Sequence, residues 1–307
     1  MIVNGFDRIC APDDFVAPPP HDTLYAGFLD NFDHGVPYLQ DISYIGSMKE
    51  FRRDVPWMDD NASGFGDSWG NYETKVIAGN TFDYPSVHGR ALLEAGYSFV
   101  SCSHESVEAQ EVDLTSYDCV DLILGKQKQT KTGRGGYCPL AFKTFTPDMQ
   151  KALTAYCRQG GSLLVSGSYV ASDLWDNPLA PSLEEDRRFA TEVLKYKWRV
   201  GRAAREGKAH FVPSPFTMLQ GHVRFCQKLN GRCYMVESPD GIEPASEEAH
   251  TVMRYSENGI SAAVAYQGPY RTLVVGFPLE TVRPARARHM MMEQAMQFLT
   301  GGKAKKN

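Results

Sequence analysis

Apolar positions along this chain change period several times, and each change marks an element. Residues 2–4, "IVN", run into Gly5, Asp7 and Arg8, which predicts a first strand, central in a sheet, that ends in a loop. "PSVHGRALLEAG" then sets Val87, Ala91, Leu92 and Ala95 at helical spacing, and "YSFVSCS" reads as the strand after that helix. "YDCVDLILGKQ" is a nearly unbroken apolar run closed by Gly125, the pattern of a strand buried on both faces of a parallel sheet. "TPDMQKALTAYCRQGG" carries its own boundaries: Thr146 as N-cap, Pro147 at the first helical position and Gly160 past the end. "SLLVSG" is the next strand. "PSLEEDRRFATEVLKYKW" predicts a helix capped by Ser182, with an acidic first turn and Phe189, Val193 and Leu194 on one side. "GISAAVAYQ" and "RTLVVGFPLETV" form a hairpin about Gly268 and Pro269, and "RARHMMMEQAMQFLTGG" closes as an amphipathic helix.

Two stretches keep no period. Residues 10–83 are dense in Pro, Gly, Asp and aromatic side chains, and so long an aperiodic stretch points to a functional loop or a cover over a site. Residues 202–257 hold short β-like runs broken by turns, a meander or edge hairpins. Strands alternating with helices predict an α/β fold, a doubly wound and mostly parallel sheet with antiparallel additions and a long loop-rich insertion. No tandem repeat or low-complexity linker divides the chain, so one elaborated domain is expected over 1–300, followed by a disordered tail at 301–307.

Composition narrows the function classes. The 307 residues are 42% hydrophobic, enough for a large core, and the net charge of -5 gives no field that would draw nucleic acid or an anionic membrane. No apolar run approaches the roughly 20 residues a membrane helix needs. The chain opens in a predicted strand with no leader pattern, so its location is not read from its terminus. Seven scattered cysteines show no metal-binding spacing, and no cofactor motif stands out; "GRGG" at 133–136 lacks a Walker pattern and reads as a flexible loop. Cys226 and Cys233 flank an Asn-Gly turn, which fits either a cross-hairpin disulfide or two reduced strand cysteines.

Ligands of doubly wound sheets bind beyond the carboxyl ends of the strands, near the point where the strand order reverses. That rule selects Asp7 and Arg8 after the first strand, Lys126 and Gln127 after the central one, and Ser166, Tyr169 and Asp173 at and after "SLLVSG", with Asn80 added from the insertion. Lys126, Lys128, Lys131 and Arg134 read as a solvated basic loop whose position suits an anionic or sugar ligand. Arg52, Arg53, Trp57, Asp59 and Asp60 could frame a second wall, since aromatics beside charges suit carbohydrate faces and hydroxyls. For catalysis the candidates are Ser168 as nucleophile with His88, Asp83 or His104 in support. "VSGSYV" is not a G-x-S-x-G elbow, and small residues packing tightly at a strand end explain it equally well. The Gly-Asp-Ser of "FGDSWGN" lies in a loop region, where coincidence explains it, and "CSHES" reads first as a buried Cys and a surface His.

The order of elements resembles the class I glutamine amidotransferase-like superfamily, a flavodoxin-like fold. The segments "VNGFDRI", "GVPYLQDISYIG", "FRRDVPWMDD", "AGNTFDYPSVHG", "SFVSCS", "DLILGKQ", "CRQGGSLLVSGSYVASDLW" and "VVGFPLETV" are similar to a family of secreted Bacteroidetes proteins often labelled xanthan lyase. That resemblance implies a secreted, periplasmic or cell-surface protein, with fibronectin type III and golvesin-like modules beside it and polysaccharide or cell-envelope glycan as partner. Amidotransferases of this kind place a cysteine at the turn that Gly167-Ser168 occupies here and a histidine in a Phe-His-Pro-Glu context, where this chain has Phe277-Pro278-Leu279-Glu280. The expectation is a degenerate, non-catalytic domain, without cofactor or metal, that binds or scaffolds in glycan processing. The alternatives are a polysaccharide-active hydrolase or lyase, and a purely structural spacer. The familiar xanthan lyases pair an α/α toroid with large β-sheets, and no helical-hairpin array is present to match.

Overall fold

The computed structural model describes residues 1–6, 84–131, 140–178, 180–227, 234, 236 and 238–302, with short strand segments at 9–10, 35–36, 44–45, 48–50 and 76–77. The rest of the 10–83 insertion lies outside the described residues, and so does any role it has as a lid.

Five parallel strands form one half of a ten-stranded sheet: β1 (Ile2–Asn4), β2 (Ser101–Ser103), β3 (Cys119–Gly125), β4 (Ser162–Gly167) and, late in the chain, β11 (Arg271–Val275). The other half is antiparallel and uses β6 (Lys208–Phe211), β7 (His222–Phe225), β9 (Ala249–Tyr255), β10 (Ser261–Gln267) and β12 (Val282–Arg283). Across the sheet the order is β12-β7-β6-β9-β10-β11-β4-β3-β1-β2. A separate ribbon pairs β5 (Tyr196–Val200) with β8 (Gly241–Pro244). The architecture is mixed α/β with a parallel centre. The expected Gly268-Pro269 hairpin joins β10 to β11, with Gln267 opposite Arg271.

Alternation along the central strands divides the core between two faces. Cys119 and Ile123 of β3 join Leu164 and Val275 on the face covered by α1 (Tyr84–Glu94) and α6 (Ala285–Thr300), where Ala91, Leu92, Met292 and Phe298 pack. Val120, Leu122 and Leu124 turn the other way, with Val165 and Val274, toward Met149, Leu153 and Tyr156 of α3 (Pro147–Arg158). The fully buried pattern of β3 follows from its apolar run, with one carboxylate, Asp121, inside it. Gly125 ends β3 at a φ of +48°, and a side chain there would run into the Phe6 ring, so glycine lets the chain leave the sheet at this edge.

Helix α3 starts as its sequence predicts: Thr146 Oγ1 accepts from Met149 N at 3.2 Å, with Pro147 in the first turn. Two readings differ in detail. "YSFVSCS" enters the ladder only at Ser101–Ser103, because the residues before it run without regular strand structure. Ser182 is no cap: its hydroxyl donates to Leu174 O at 2.7 Å, and α5 (Glu184–Arg188) begins after Leu183 and passes into a π turn at Phe189–Val193. Of the two cysteines flanking the Asn-Gly turn, Cys226 is buried next to β7, which pairs with β6 and β12, and Cys233 lies outside the described residues.

Candidate functional site

Taken in chain order, the parallel strands β1, β2, β3, β4 and β11 lie side by side as second, first, third, fourth, fifth. Connections leave β1 in opposite directions along the sheet, so the switch point falls between β1 and β3, and their carboxyl ends open a crevice there. A recess occupies that position. It is a small indentation, with room for about one water molecule, between Gly5 after β1, Gln127 after β3 and the helices on the α3 side. Leu122, Leu124 and Met149 give it an apolar floor.

Its polar walls are held from behind. His104 opens α2 (His104–Glu108), and its Nδ1 lies 3.1 Å from Glu108 Oε1, which also accepts from Thr146 Oγ1 at 2.6 Å. Across from it, Lys143 Nζ donates to Asp186 Oδ2 at 2.6 Å, while Gln150 donates to the other oxygen of Asp186 at 2.6 Å. Thr144 donates to Asp173 Oδ2 at 2.7 Å. An imidazole, an ammonium and a carboxamide thus face one recess, with their supporting partners fixed by buried or half-buried contacts.

On the other face of β3 lies a buried ionic network. His88 of α1 is fully buried, its Nδ1 2.7 Å from Asp121 Oδ2 and its Nε2 3.3 Å from Glu280 Oε2. Tyr234 donates to Glu280 Oε1 at 2.6 Å, and Phe6, Tyr84 and Tyr234 form an aromatic cluster with ring centroids 5.4–5.5 Å apart. Lys126, also fully buried, sets its ammonium 6.0 Å from the Tyr234 ring centre. Burial opposes a charge on His88, but Asp121 and Glu280 outweigh it and raise its pKa to about 10. His88 is therefore an imidazolium at neutral pH, with both nitrogens engaged, and cannot act as a general base.

The strand-end corner is closed as well. Ser168 Oγ is fully buried and donates to Val236 O at 3.1 Å, so neither Ser168 nor His88 has the other as partner. Asp83, the third member of that expected cluster, lies outside the described residues, as do Asp7, Arg8, Asn80, Arg52, Arg53, Trp57, Asp59, Asp60 and Arg134, and the side chain of Lys131. Of the expected ligand contacts, Ser166 is buried with its hydroxyl unpartnered, and Tyr169 lies under the Lys128 ammonium at 4.8 Å. Asp173 accepts from Gln129 N, Thr144 N, Thr144 Oγ1 and Asn177 Nδ2 at 2.7–2.9 Å, which makes it a clasp between the loops after β3 and β4. Lys126 and Gln127 are both buried, and only Gln127 lines the recess. Sequence reasoning missed Glu108, Lys143 and the Asp121 partnership. Asp121 could have been found as the lone charge in an apolar run, because a carboxylate buried there requires a partner.

No family model matches this chain, and no curated protein matches it. Solved structures do. It is similar to a cold-adapted β-galactosidase from Rahnella sp. R3 (15% identity, TM-score 0.44) over 69% of this chain and 26% of that one. It is also similar to the exo-β-1,4-mannosidase Op5Man5 from Opitutaceae bacterium strain TAV5 (15%, TM-score 0.43), over 75% of this chain and 32% of that one. A third is a glutamine amidotransferase from Thermotoga maritima (13%, TM-score 0.41), over 69% of this chain and 90% of that one. The chain spans about a quarter to a third of the two glycosidases.

Proposed function

We propose that this chain is a degenerate amidotransferase-like, flavodoxin-like domain that binds rather than transforms its ligand, a polysaccharide or cell-envelope glycan, as part of a secreted or cell-surface protein. The observation that carries the reading is Ser168. The residue at the corner where an amidotransferase nucleophile would stand is buried and donates its proton to a backbone carbonyl, while His88 is held as a cation between two carboxylates. A nucleophile needs an adjacent neutral base, and His88 does not supply one to Ser168. This reading places the ligand on the strands' carboxyl edge outside the small recess lined by His104, Gln127 and Lys143.

A second reading has one observation in its favour. His104 lines the recess with Nδ1 on Glu108 and Nε2 3.4 Å from the exposed carboxylate of Glu105, and it would serve a polysaccharide hydrolase or lyase as base once a substrate displaces Glu105. One experiment separates the two. Thermal stability is followed while xanthan fragments, mucin glycans, peptidoglycan fragments and simple uronates are titrated, and the same mixtures are assayed for products. A ligand at 100 times its Kd adds about 2.7 kcal/mol of stability. A dose-dependent shift without products supports the binding domain; products that vanish in His104→Gln support the enzyme; a flat response to every glycan overturns both.

A further inference from the structure

Strands β6 and β7, "KAHF" and "HVRF", alternate polar and apolar residues, and the sheet sorts them onto two faces. Ala209 and Phe211, with Val223 and Phe225, turn toward the core, where Ala209 lies opposite both Val223 and Tyr255 and Phe225 lies opposite Val282. The positions between them share the other face. There Lys208 stands opposite Arg224 and Arg224 opposite Arg283, while His210 stands opposite both His222 and Arg254. Two lateral rows result, each crossing three strands. His222, Arg224 and Arg254 are exposed, and Lys208, His210 and Arg283 are half-buried. Four cations and two imidazoles thus share one sheet face of a chain whose net charge is -5.

We propose that this face binds an acidic polysaccharide, laid across β9, β6, β7 and β12 with its carboxylates over the cations. Side chains directly opposite on antiparallel strands lie about 4.5–5.5 Å apart at Cβ, and like charges placed so repel. A carboxylate seated between Arg224 and Arg283 turns that repulsion into two charge-assisted contacts, and each guanidinium fork matches it. Part of the face is steadied from within: Lys208 Nζ meets Glu206 at 2.5 Å, Arg254 donates to Gly259 O at 2.7 Å, and His210 Nδ1 lies 3.0 Å from Ser256 Oγ. Neighbouring strands are about 4.8 Å apart, so each row presents a donor at intervals close to one sugar residue of an extended chain. Nucleic acid fits less well, because the six positions hold no Phe, Tyr or Trp on which a base would stack, and a sheet face has no projecting helix to enter a groove. The face belongs to the antiparallel half, apart from the carboxyl ends of β1 and β3, and the inference does not depend on a ligand there.

Calorimetric titration of the intact chain with an oligomer of galacturonic acid tests this. Binding is expected at about 0.01 M salt and should weaken at about 0.15 M, as the screening length falls from about 30 Å to about 8 Å. The double variant Arg224→Gln, Arg283→Gln should bind at least about tenfold more weakly. Lys197→Gln, which removes an exposed cation from β5 in the separate ribbon, should bind as the wild type does. Removing a repelling pair should leave the melting temperature of the free double variant equal or higher, which separates lost binding from lost fold. If that variant fails to fold, Arg254→Gln with His222→Gln makes the same comparison on the other row. The proposal is overturned if the acidic oligomer does not bind, or if Lys197→Gln weakens binding as much as the double variant. It is also overturned if a neutral cellulose oligomer, single-stranded DNA or phosphatidylglycerol vesicles bind as tightly.

Discussion

His88 is best understood by removing it. With the imidazolium gone, Asp121 and Glu280 remain as two carboxylates that are almost wholly buried, and breaking a buried ionic group by deleting one partner typically costs about 3–5 kcal/mol. His88→Leu should fall in that range, read as a lower urea midpoint with an unchanged slope. Glu280→Gln should cost less, on the order of 1–2 kcal/mol, because the amide oxygen still accepts from Tyr234 and Asp121 still neutralises His88. Ser168 contrasts with this pair. Ser168→Ala leaves the buried Val236 carbonyl without that donor, which costs about 1–3 kcal/mol, yet it should leave any glycan-induced thermal shift unchanged. If instead Ser168→Ala abolished a measured activity, the degenerate-corner reading would fail.

Among the elements, α3 shows how local signals reach the recess. Thr146 caps the helix and also donates to Glu108, the carboxylate that orients His104. Thr146→Ala should cost about 1 kcal/mol for the cap and should also free the Glu108–His104 pair. The check is a lower melting temperature together with a weaker ligand-induced shift, while a cap on a helix remote from the site would change only the first. This helix was legible in the sequence because its cap, its first-turn proline and its terminal glycine are all local. The strands β3 and β4 were legible from their unbroken apolar runs, since burial on both faces leaves no polar alternation. What was not legible depends on contacts distant in sequence. Asp173 collects donors from two loops, and Asp240 meets Ala171 and Ser172 across 68–69 positions. Such pairings depend on the order of strands in the sheet, which neighbouring residues do not encode.

For the whole molecule, Asp240, His88 and two cysteines act in one direction, while the half-buried Met1 ammonium, its pKa lowered by burial, acts in the other. Stability changes with pH according to the difference in bound protons between unfolded and folded chains, and it falls wherever the folded chain holds more. Asp240, at about 7 when folded and 3.8 in the open chain, holds its proton more tightly when folded, so its contribution declines as pH rises between those values. His88 continues the slope: its stabilisation is fully present below 6.5 and is lost as pH rises toward about 10. Burial pushes the Cys119 and Cys157 thiols up to about 12, which extends the decline beyond pH 9. These windows adjoin, so the component of stability they govern should decrease from about pH 4 to about pH 10 without an intervening rise. Urea unfolding at pH 5, 7 and 9 measures it, with Asp240→Asn flattening the first interval and His88→Leu the second. If His88→Leu kept the wild-type slope between pH 7 and 9, His88 would be neutral in the folded protein, and the argument against it as a base would have to be withdrawn.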